Sequence, residues 1–258
     1  MCLIALAWKV RGHLPLVVAA NRDEWRERPA RPAHWWTDRP AILAGRDLQA
    51  GGTWMGVTRE GRFAAVTNFR DPSDKRSTAR SRGELVTDFL AGTESAARFL
   101  SNLSARDHEY NGFNLLVGDG VSLLYYGSRE GHVRALAPGV YGLSNHLLDE
   151  PWPKVTLARR EMQAALEEAD PAPRLFEMLS NTGIAPDVQL PHTGVGPDWE
   201  RRLSAALITG ADYGTRCSTV LAIDPDGTTT FEERTRDAQG AVVSTARHEF
   251  ALRVAVGS

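Results

Sequence analysis

Cysteine is scarce in this chain, and so are long apolar segments and any excess of charge of one sign. The only cysteines are Cys2 and Cys217, too few for a disulfide framework or a cysteine-rich metal site. A single bridge between them is disfavoured in a reducing compartment. The formal net charge of −2 gives no general attraction for nucleic acid or a membrane surface. No apolar run reaches the roughly 18 residues typical of a transmembrane helix, so none is predicted.

The N-terminus also lacks the pattern of a secretory signal. Lys9, Arg11 and His13 interrupt the apolar segment that begins at Cys2, and no basic region precedes it. The remaining composition, 42% hydrophobic and 24% charged, is typical of a globular protein with a sizeable core. We therefore expect a cytoplasmic protein with a single domain over residues 1–258 and a small-molecule ligand. We expect neither nucleic-acid binding nor stable membrane insertion, and the sequence gives no indication of oligomeric state.

Short apolar segments separated by turn residues predict strands. The predicted strands are Cys2–Val10, Leu14–Ala20, Ala41–Ala44, Trp54–Thr58, Arg62–Asn68, Phe113–Val117, Val121–Tyr126, Val133–Leu136, Cys217–Ile223, Thr228–Glu233 and Val242–Val254. Ser81-Arg82-Gly83-Glu84 has the spacing of a capping box and predicts a helix ending near Gly92. Further helices are predicted around Ala96–Leu100 and within residues 152–207. Strands and helices in this order, with short strand connections, favour an α+β fold of antiparallel sheets with helices outside.

Cys2 is the first candidate functional residue, because it follows Met1 directly. If Met1 is removed, one residue carries both a thiol and a free α-amine. An α-amine titrates near ~7.7–8.0, whereas lysine titrates near ~10.4, so this amine can act as a base for its own thiol. The alternative is a short buried strand that starts with a small apolar residue.

Polar residues lie at the ends of several apolar strands. Asn21-Arg22-Asp23-Glu24 follows one strand, Asn68 ends another, and Asn145 and Arg216 flank two more. Each group alone is also typical of a turn or a cap. Together they predict a ligand site, because ligands gather where strands end.

These residue types suit a thiol-based reaction. Asparagine amides can donate hydrogen bonds to a developing oxyanion, a contribution of about 3–4 kcal/mol. Asp23 or Arg216 could hold and tune the Cys2 thiol, since a neighbouring cation lowers the pKa of a thiol.

Eight sequence blocks occur in the order typical of one known family. They are Met1-Cys2-Leu3-Ile4, Ala19-Ala20-Asn21-Arg22-Asp23-Glu24, Gly51-Gly52-Thr53-Trp54-Met55-Gly56, Ala65-Val66-Thr67-Asn68, Arg82-Gly83-Glu84-Leu85-Val86, Tyr110-Asn111-Gly112-Phe113-Asn114-Leu115, Tyr141-Gly142-Leu143-Ser144-Asn145 and Tyr213-Gly214-Thr215-Arg216. From residue 2 to roughly 250, the chain resembles the NRDE family, known also as the transport and Golgi organisation protein family. The resemblance implies an N-terminal nucleophile (Ntn) hydrolase-like fold, a four-layer αββα sandwich of antiparallel sheets.

The resemblance also implies roles for individual residues, through similarity to the choloylglycine hydrolase and penicillin acylase group. Cys2 matches the nucleophile and Asp23 the acid that orients the new N-terminus. Asn68 and Asn145 resemble the oxyanion and amine-positioning asparagines, and Arg216 resembles the arginine beside the thiol. The implied activity is hydrolysis of the C–N bond of a small acyl amide, with no cofactor required. One position departs from that pattern: those hydrolases carry an arginine where this chain has Ala20, and Arg22 lies two residues later.

Links of this family to haem mobilisation and acyl-CoA-type lipids imply an alternative, a non-catalytic carrier of haem or acyl-CoA. His146 and His34 are the candidate axial ligands for haem. Basic residues of the 69–82 stretch, Arg70 among them, could pair with haem propionates or CoA phosphates; a solvated loop is the competing interpretation. The candidate apolar lining consists of Trp54, Trp8 and Trp35-Trp36.

Overall fold

Alternating strands and helices form a layered α+β structure in the computed structural model, which describes residues 2–11, 14–74 and 76–253. The strands are β1 (Cys2–Arg11), β2 (Leu14–Trp25), β3 (Ala30–Trp35), β4 (Ile42–Asp47), β5 (Met55–Thr58), β6 (Phe63–Asn68), β7 (Phe113–Gly118), β8 (Leu123–Gly127), β9 (Val133–Ala135), β10 (Gly139–Leu143), β11 (Tyr213–Ile223), β12 (Thr228–Arg236) and β13 (Val242–Ala251). The α-helices are α1 (Gly83–Ala91), α2 (Ala96–Ser104), α3 (Pro153–Ala165), α4 (Ala172–Leu179) and α5 (Pro197–Leu203).

The described strands pair into two antiparallel sheets. Sheet A has the order β10-β1-β2-β11-β12-β13, and sheet B has the order β3-β4-β5-β6-β7-β8-β9. Because side chains alternate along a strand, each sheet has an inner and an outer face. The inner faces meet in one core, where Ile4, Val18 and Leu221 of sheet A join Val57 and Leu116 of sheet B.

Helices cover the outer faces. The apolar sides of α3 and α4, including Val155 and Phe176, pack on the outer face of sheet A. The apolar sides of α1 and α2, including Phe89 and Leu100, pack on the outer face of sheet B. The result is the four-layer αββα sandwich that the family resemblance implied. None of the helices formed by the described residues is long and apolar enough to span a membrane.

The predicted strands lie close to the observed ones, with three instructive differences. β2 continues through Asn21–Glu24 to Trp25, so the motif lies within the strand and does not follow it. β3 was not predicted, and β10 was implied only as the strand that Asn145 follows, because proline and glycine interrupt these segments; both are edge strands, where these residues are tolerated. The last strand ends at Ala251, and Val254 of the predicted strand lies outside the described residues.

The capping-box prediction for α1 was wrong. The helix begins at Gly83 with Arg82 as its N-cap, and no side chain caps it. Ser81 instead contributes its backbone carbonyl, which accepts from the N–H of Glu84 at 3.0 Å. Ser81 therefore lies one residue too early for its hydroxyl to serve as the cap.

Candidate active site

A cleft of about 500 Å³ opens beside the Cys2 end of β1, between the two sheets. Of the predicted catalytic residues, Cys2, Asp23, Asn68 and Arg216 line it. Of the predicted binding residues, Arg22 and Trp54 do. These residues come from the ends of strands in both sheets.

The Cys2 thiol lies at the floor of this cleft. Cys2 is paired with Arg22 across β1 and β2, so both side chains lie on the inner face of sheet A. The residue is only 7% exposed, and burial raises the pKa of its thiol. The Arg22 guanidinium and a hydrogen bond from the backbone N–H of Asp23 oppose this rise in pKa. Arg22 thus occupies the position beside the sulfur, while Ala20 lies in the core.

Asn68 and Asn145 form a hydrogen-bonded pair. The Asn145 amide donates to the backbone carbonyl of Asn68 at 3.0 Å and to its side-chain oxygen at 2.9 Å. Ser144 extends this connection, because its hydroxyl donates to the Cys2 carbonyl at 2.9 Å and to the Asn145 side-chain oxygen at 3.3 Å. Asn145 is fully buried, whereas Asn68 is half-buried and lines the cleft. Asn145 therefore orients Asn68, and Asn68 is the asparagine that a ligand can contact.

Asp23 belongs to the opposite side of β2. Asn21 lies two residues before Asp23 and therefore shares its face of β2. The Asn21 side-chain amide donates to the carbonyls of Leu179 and Ala206 at 2.8 Å each, on the helix side of sheet A. The Asp23 carboxylate accepts from the Thr215 hydroxyl at 2.7 Å. Burial raises the pKa of Asp23, and the ammonium of Lys154 on α3 is the strongest opposing charge. Asp23 also lies one residue past the Cys2–Arg22 pair, beyond the start of β1.

Arg216 lies at a bulge in β11, where the register with β2 shifts between Thr215 and Cys217. Its guanidinium donates to the carbonyls of Trp25 at 2.8 Å and Arg28 at 2.9 Å. These bonds hold the side chain rigidly in the cleft wall. The bulge explains why residue 216 does not follow the regular alternation of its strand.

Three predicted binding residues lie outside the cleft lining. Asn21 contacts the helix layer, and Arg70 is buried in an ion pair with Glu200 at 2.7 Å. The Nδ1–H of His146 donates to the Glu150 carboxylate at 2.9 Å, and its ring packs on Phe69. Of the predicted tryptophan lining, Trp54 alone borders the cleft. Trp8, Trp35 and Trp36 belong to the cores.

Arg82, the last basic residue of the 69–82 stretch, lines the cleft, although it was not among the predicted site residues. After burial, which lowers the pKa of Arg82, Cys2 is the strongest electrostatic influence on its guanidinium. Arg82 is brought to the cleft by a close contact between Gly52 and the adjacent Gly83. A Cβ on Gly52 would lie 2.7 Å from the carbonyl of Gly83, so only glycine permits this approach. The Gly51-Gly52 turn and the Arg82-Gly83 pair were visible in the sequence, but their contact was not.

Cys217 and Glu233 form a second buried pair in the cleft. Both pKa values are raised by burial, and the two side chains hydrogen-bond each other. Cys2 and Cys217 are free thiols. Each is paired with Arg22, so β2 separates them. Two interstrand spacings of about 4.8 Å exceed the Cα separation that a disulfide bridges.

Two solved structures have a similar fold. One is the Caenorhabditis elegans ortholog of N-acylethanolamine-hydrolyzing acid amidase, with a TM-score of 0.50 and 12% identity over 85% of this chain and 92% of that chain. The other is the C2A mutant of the conjugated bile acid hydrolase from Clostridium perfringens, with a TM-score of 0.50 and 9% identity over 100% of this chain and 99% of that chain. At such identities the similarity establishes an Ntn-hydrolase-like fold and nothing more.

Sequence relatives are closer. Residues 1–238 match the family described as Transport and Golgi organisation 2. The Bos taurus Transport and Golgi organization protein 2 homolog is 39% identical over 98% of this chain and 100% of its own length. The Homo sapiens homolog is 36% identical over the same shares, and the Drosophila melanogaster Transport and Golgi organization protein 2 is 25% identical over 87% of each chain. The chain therefore belongs to the Transport and Golgi organisation 2 family.

Proposed function

We propose that this protein hydrolyses the C–N bond of a small acyl amide, with Cys2 as an N-terminal nucleophile. One observation carries the proposal: Cys2 of β1, Asp23 of β2 and Asn68 of β6 line one cleft, and the Cys2 thiol within it is buried. The names of the two proteins with similar folds, an acid amidase and a bile acid hydrolase, favour hydrolytic chemistry.

The reaction needs Met1 to be removed, which makes the Cys2 nitrogen a free amine. That amine takes the thiol proton, and the sulfur attacks the amide carbon to form a C–S bond. The amine then delivers the proton to the leaving nitrogen as the C–N bond breaks. Water attacks the resulting thioester, releases the carboxylic acid and restores the thiol. No oxidant, reductant or cofactor enters this balance.

Asn68 and Asn145 would have different roles in this reaction. The Asn68 side chain would donate its N–H to the oxyanion, because its oxygen already accepts from Asn145 and the amide is thereby turned nitrogen-first towards the cleft. Asn145, fully buried, would act only through Asn68. Asp23, at the open end of β1, would hold the new α-amine.

The test combines intact mass with turnover. The purified protein is measured by intact mass spectrometry for loss of Met1, then assayed on fluorogenic acyl amides of graded acyl length. We expect hydrolysis by the processed chain, an acyl adduct on Cys2 in quenched samples, and no turnover by Cys2→Ala.

Cys217→Ser is the matched control, because it removes the other buried thiol of the same cleft. It should retain turnover and the Cys2 adduct. Full retention of Met1 on an active protein, or unchanged turnover by Cys2→Ala, would contradict the proposal.

A second candidate, a carrier of acyl-CoA or haem, is favoured by one specific observation. Arg31, Arg82 and Arg216 line the cleft, and none has a carboxylate within 4 Å among the described residues. Such guanidinium groups suit phosphate or carboxylate groups of a ligand. No histidine of the described chain lines the cleft, so haem there would be held by its propionates.

Binding measurements separate the two functions. Calorimetry with an acyl-CoA and a Soret titration with haem are performed on the Cys2→Ala protein, which cannot turn over an amide. A carrier gives saturable binding that Arg82→Gln weakens. Absence of saturable binding to both ligands would end this candidate.

A further inference from the structure

A buried lysine lies behind the cleft, where nothing in the proposed reaction uses it. Lys154 belongs to α3 on the helix side of sheet A and is only 3% exposed. Its ammonium has no hydrogen-bond partner among the described residues. A buried ammonium without such a partner is strongly unfavourable, so it is rare unless the charge itself is needed.

The position of Lys154 in α3 adds a second unfavourable interaction. Trp152 is the N-cap and Pro153 the first helical residue, so Lys154 lies in the first turn of the helix. The N-terminal end of a helix carries a partial positive charge that disfavours a cation. An apolar side chain of similar length would avoid both penalties.

The groups around Lys154 indicate which of them interacts most strongly with its ammonium. Charged or titratable groups from four other parts of the chain face Lys154: Asp23 of β2, Arg70, Cys2 of β1 and Glu200 of α5, with Tyr213 of β11 facing Asp23 in turn. The Arg70 and Glu200 side chains pair with each other at 2.7 Å, and both are about 95% buried. Of this cluster, Asp23 is the carboxylate outside that pair, and its interaction is the strongest that Lys154 makes.

We propose that Lys154 is a positioning residue whose ammonium keeps the Asp23 carboxylate ionised and so fixes the receptor for the Cys2 α-amine. The role in holding the α-amine rests on the proposed hydrolase function, whereas the ionisation of Asp23 can be measured without any substrate. A neutral Asp23 would lose the charge that holds an ammonium group. Lys154 thus acts from the helix layer on a cleft that it does not line.

The experiment follows the side-chain carboxyl carbon of Asp23 by NMR in the full-length chain labelled at aspartate. Asp23→Asn assigns the signal, and its pH titration is recorded for the parent, Lys154→Met, Lys154→Arg and the exposed-lysine control Lys9→Met. The titration midpoint should rise by at least about one pH unit in Lys154→Met, since an adjacent opposite charge moves a carboxyl pKa by about 1–3 units. Lys154→Arg and Lys9→Met should remain near the parent value.

An unchanged Asp23 midpoint in folded Lys154→Met would overturn the proposal. If Lys154→Met does not fold at neutral pH, the double variant Asp23→Asn/Lys154→Met should fold, because the negative charge that Lys154 opposes has been removed as well; failure of that rescue also overturns it. The outcome is separable from hydrolysis. A shifted midpoint in a protein without amide turnover supports Lys154 and removes the hydrolase, whereas turnover with an unshifted midpoint does the reverse.

Discussion

Replacement of Lys154 by methionine should change the pH dependence of folding stability in a way that the structure quantifies. Burial lowers the pKa of Lys154 from 10.5 to about 8. At about 1.36 kcal/mol per pH unit, this difference corresponds to roughly 3 kcal/mol of destabilisation at neutral pH, an order-of-magnitude figure. Methionine keeps a long, unbranched side chain and carries no charge, so the variant escapes this penalty.

The sign of the pH effect follows from the protons bound. Between about pH 8 and 10.4, unfolded chains keep the lysine proton while the folded protein has released it, so folding stability rises with pH in this window. Below pH 8 both states are protonated and the penalty is constant. The parent chain therefore gains stability between pH 8 and 10.4, and Lys154→Met lacks this gain.

The assay is urea unfolding of both proteins at pH 7 and pH 10. Buried tyrosines such as Tyr125, whose pKa burial raises, also titrate at high pH, but they are common to both proteins and cancel in the difference. The difference in unfolding free energy should change by about 2–3 kcal/mol in favour of the parent as pH rises. Lys9→Met, which removes an exposed lysine, should follow the parent at both pH values. A difference that is equal at pH 7 and pH 10 would refute the reasoning.

Three other substitutions test the site and its support. Asn68→Ala should lower kcat by about 10²–10³, as expected for loss of one oxyanion donor, and a kcat unchanged on the amide panel would exclude that role. Asn145→Ala should lower kcat by a similar factor. The double variant Asn68→Ala/Asn145→Ala should have a kcat little lower than that of either single variant, because Asn145 acts through Asn68. Additive losses would show that the two residues act independently. Arg70→Met should destabilise the fold by about 3–5 kcal/mol in urea unfolding, because Glu200 is left buried without its partner, and Arg70→Met/Glu200→Gln should recover most of it.

The fold was largely predictable because its strands carry continuous apolar segments. Leu14–Ala20 is buried on both faces, as its sequence indicated, and the turn at Asp224–Gly227 joins two paired strands. Edge strands were harder to predict. β3 contains Pro32 and β10 contains two glycines, so local sequence disfavours them, and they form because a neighbouring strand is present to pair with.

The site was predictable only where residues adjoin strand ends. Cys2, Asn68 and Arg216 were found in this way, and they line one cleft, Cys2 and Arg216 from sheet A and Asn68 from sheet B. Lys154 could not be found, because it lies in a helix with no motif and its partner is 131 positions away at Asp23, a distance in sequence that only the folded chain closes. The position of Arg82 at the cleft depends on a contact between two glycine-containing turns, and no local sequence pattern predicts that contact.

The continuation of β2 through the Asn21–Glu24 motif explains why these four residues have different tasks. Strand alternation turns Arg22 and Glu24 towards the cleft, while the side chain of Asn21 and the carboxylate of Asp23 face the helix layer, and Asp23 also borders the cleft. Asn21 ties β2 to the carbonyls of the helix layer, and Asp23 meets Thr215 and the charge of Lys154. A turn at this place, the simpler interpretation of four polar residues, would expose all of them to solvent. Within a strand, Arg22 and Glu24 face the cleft, whereas the side chain of Asn21 and the carboxylate of Asp23 face the helix side of sheet A. The motif therefore connects the cleft with the helices packed behind it.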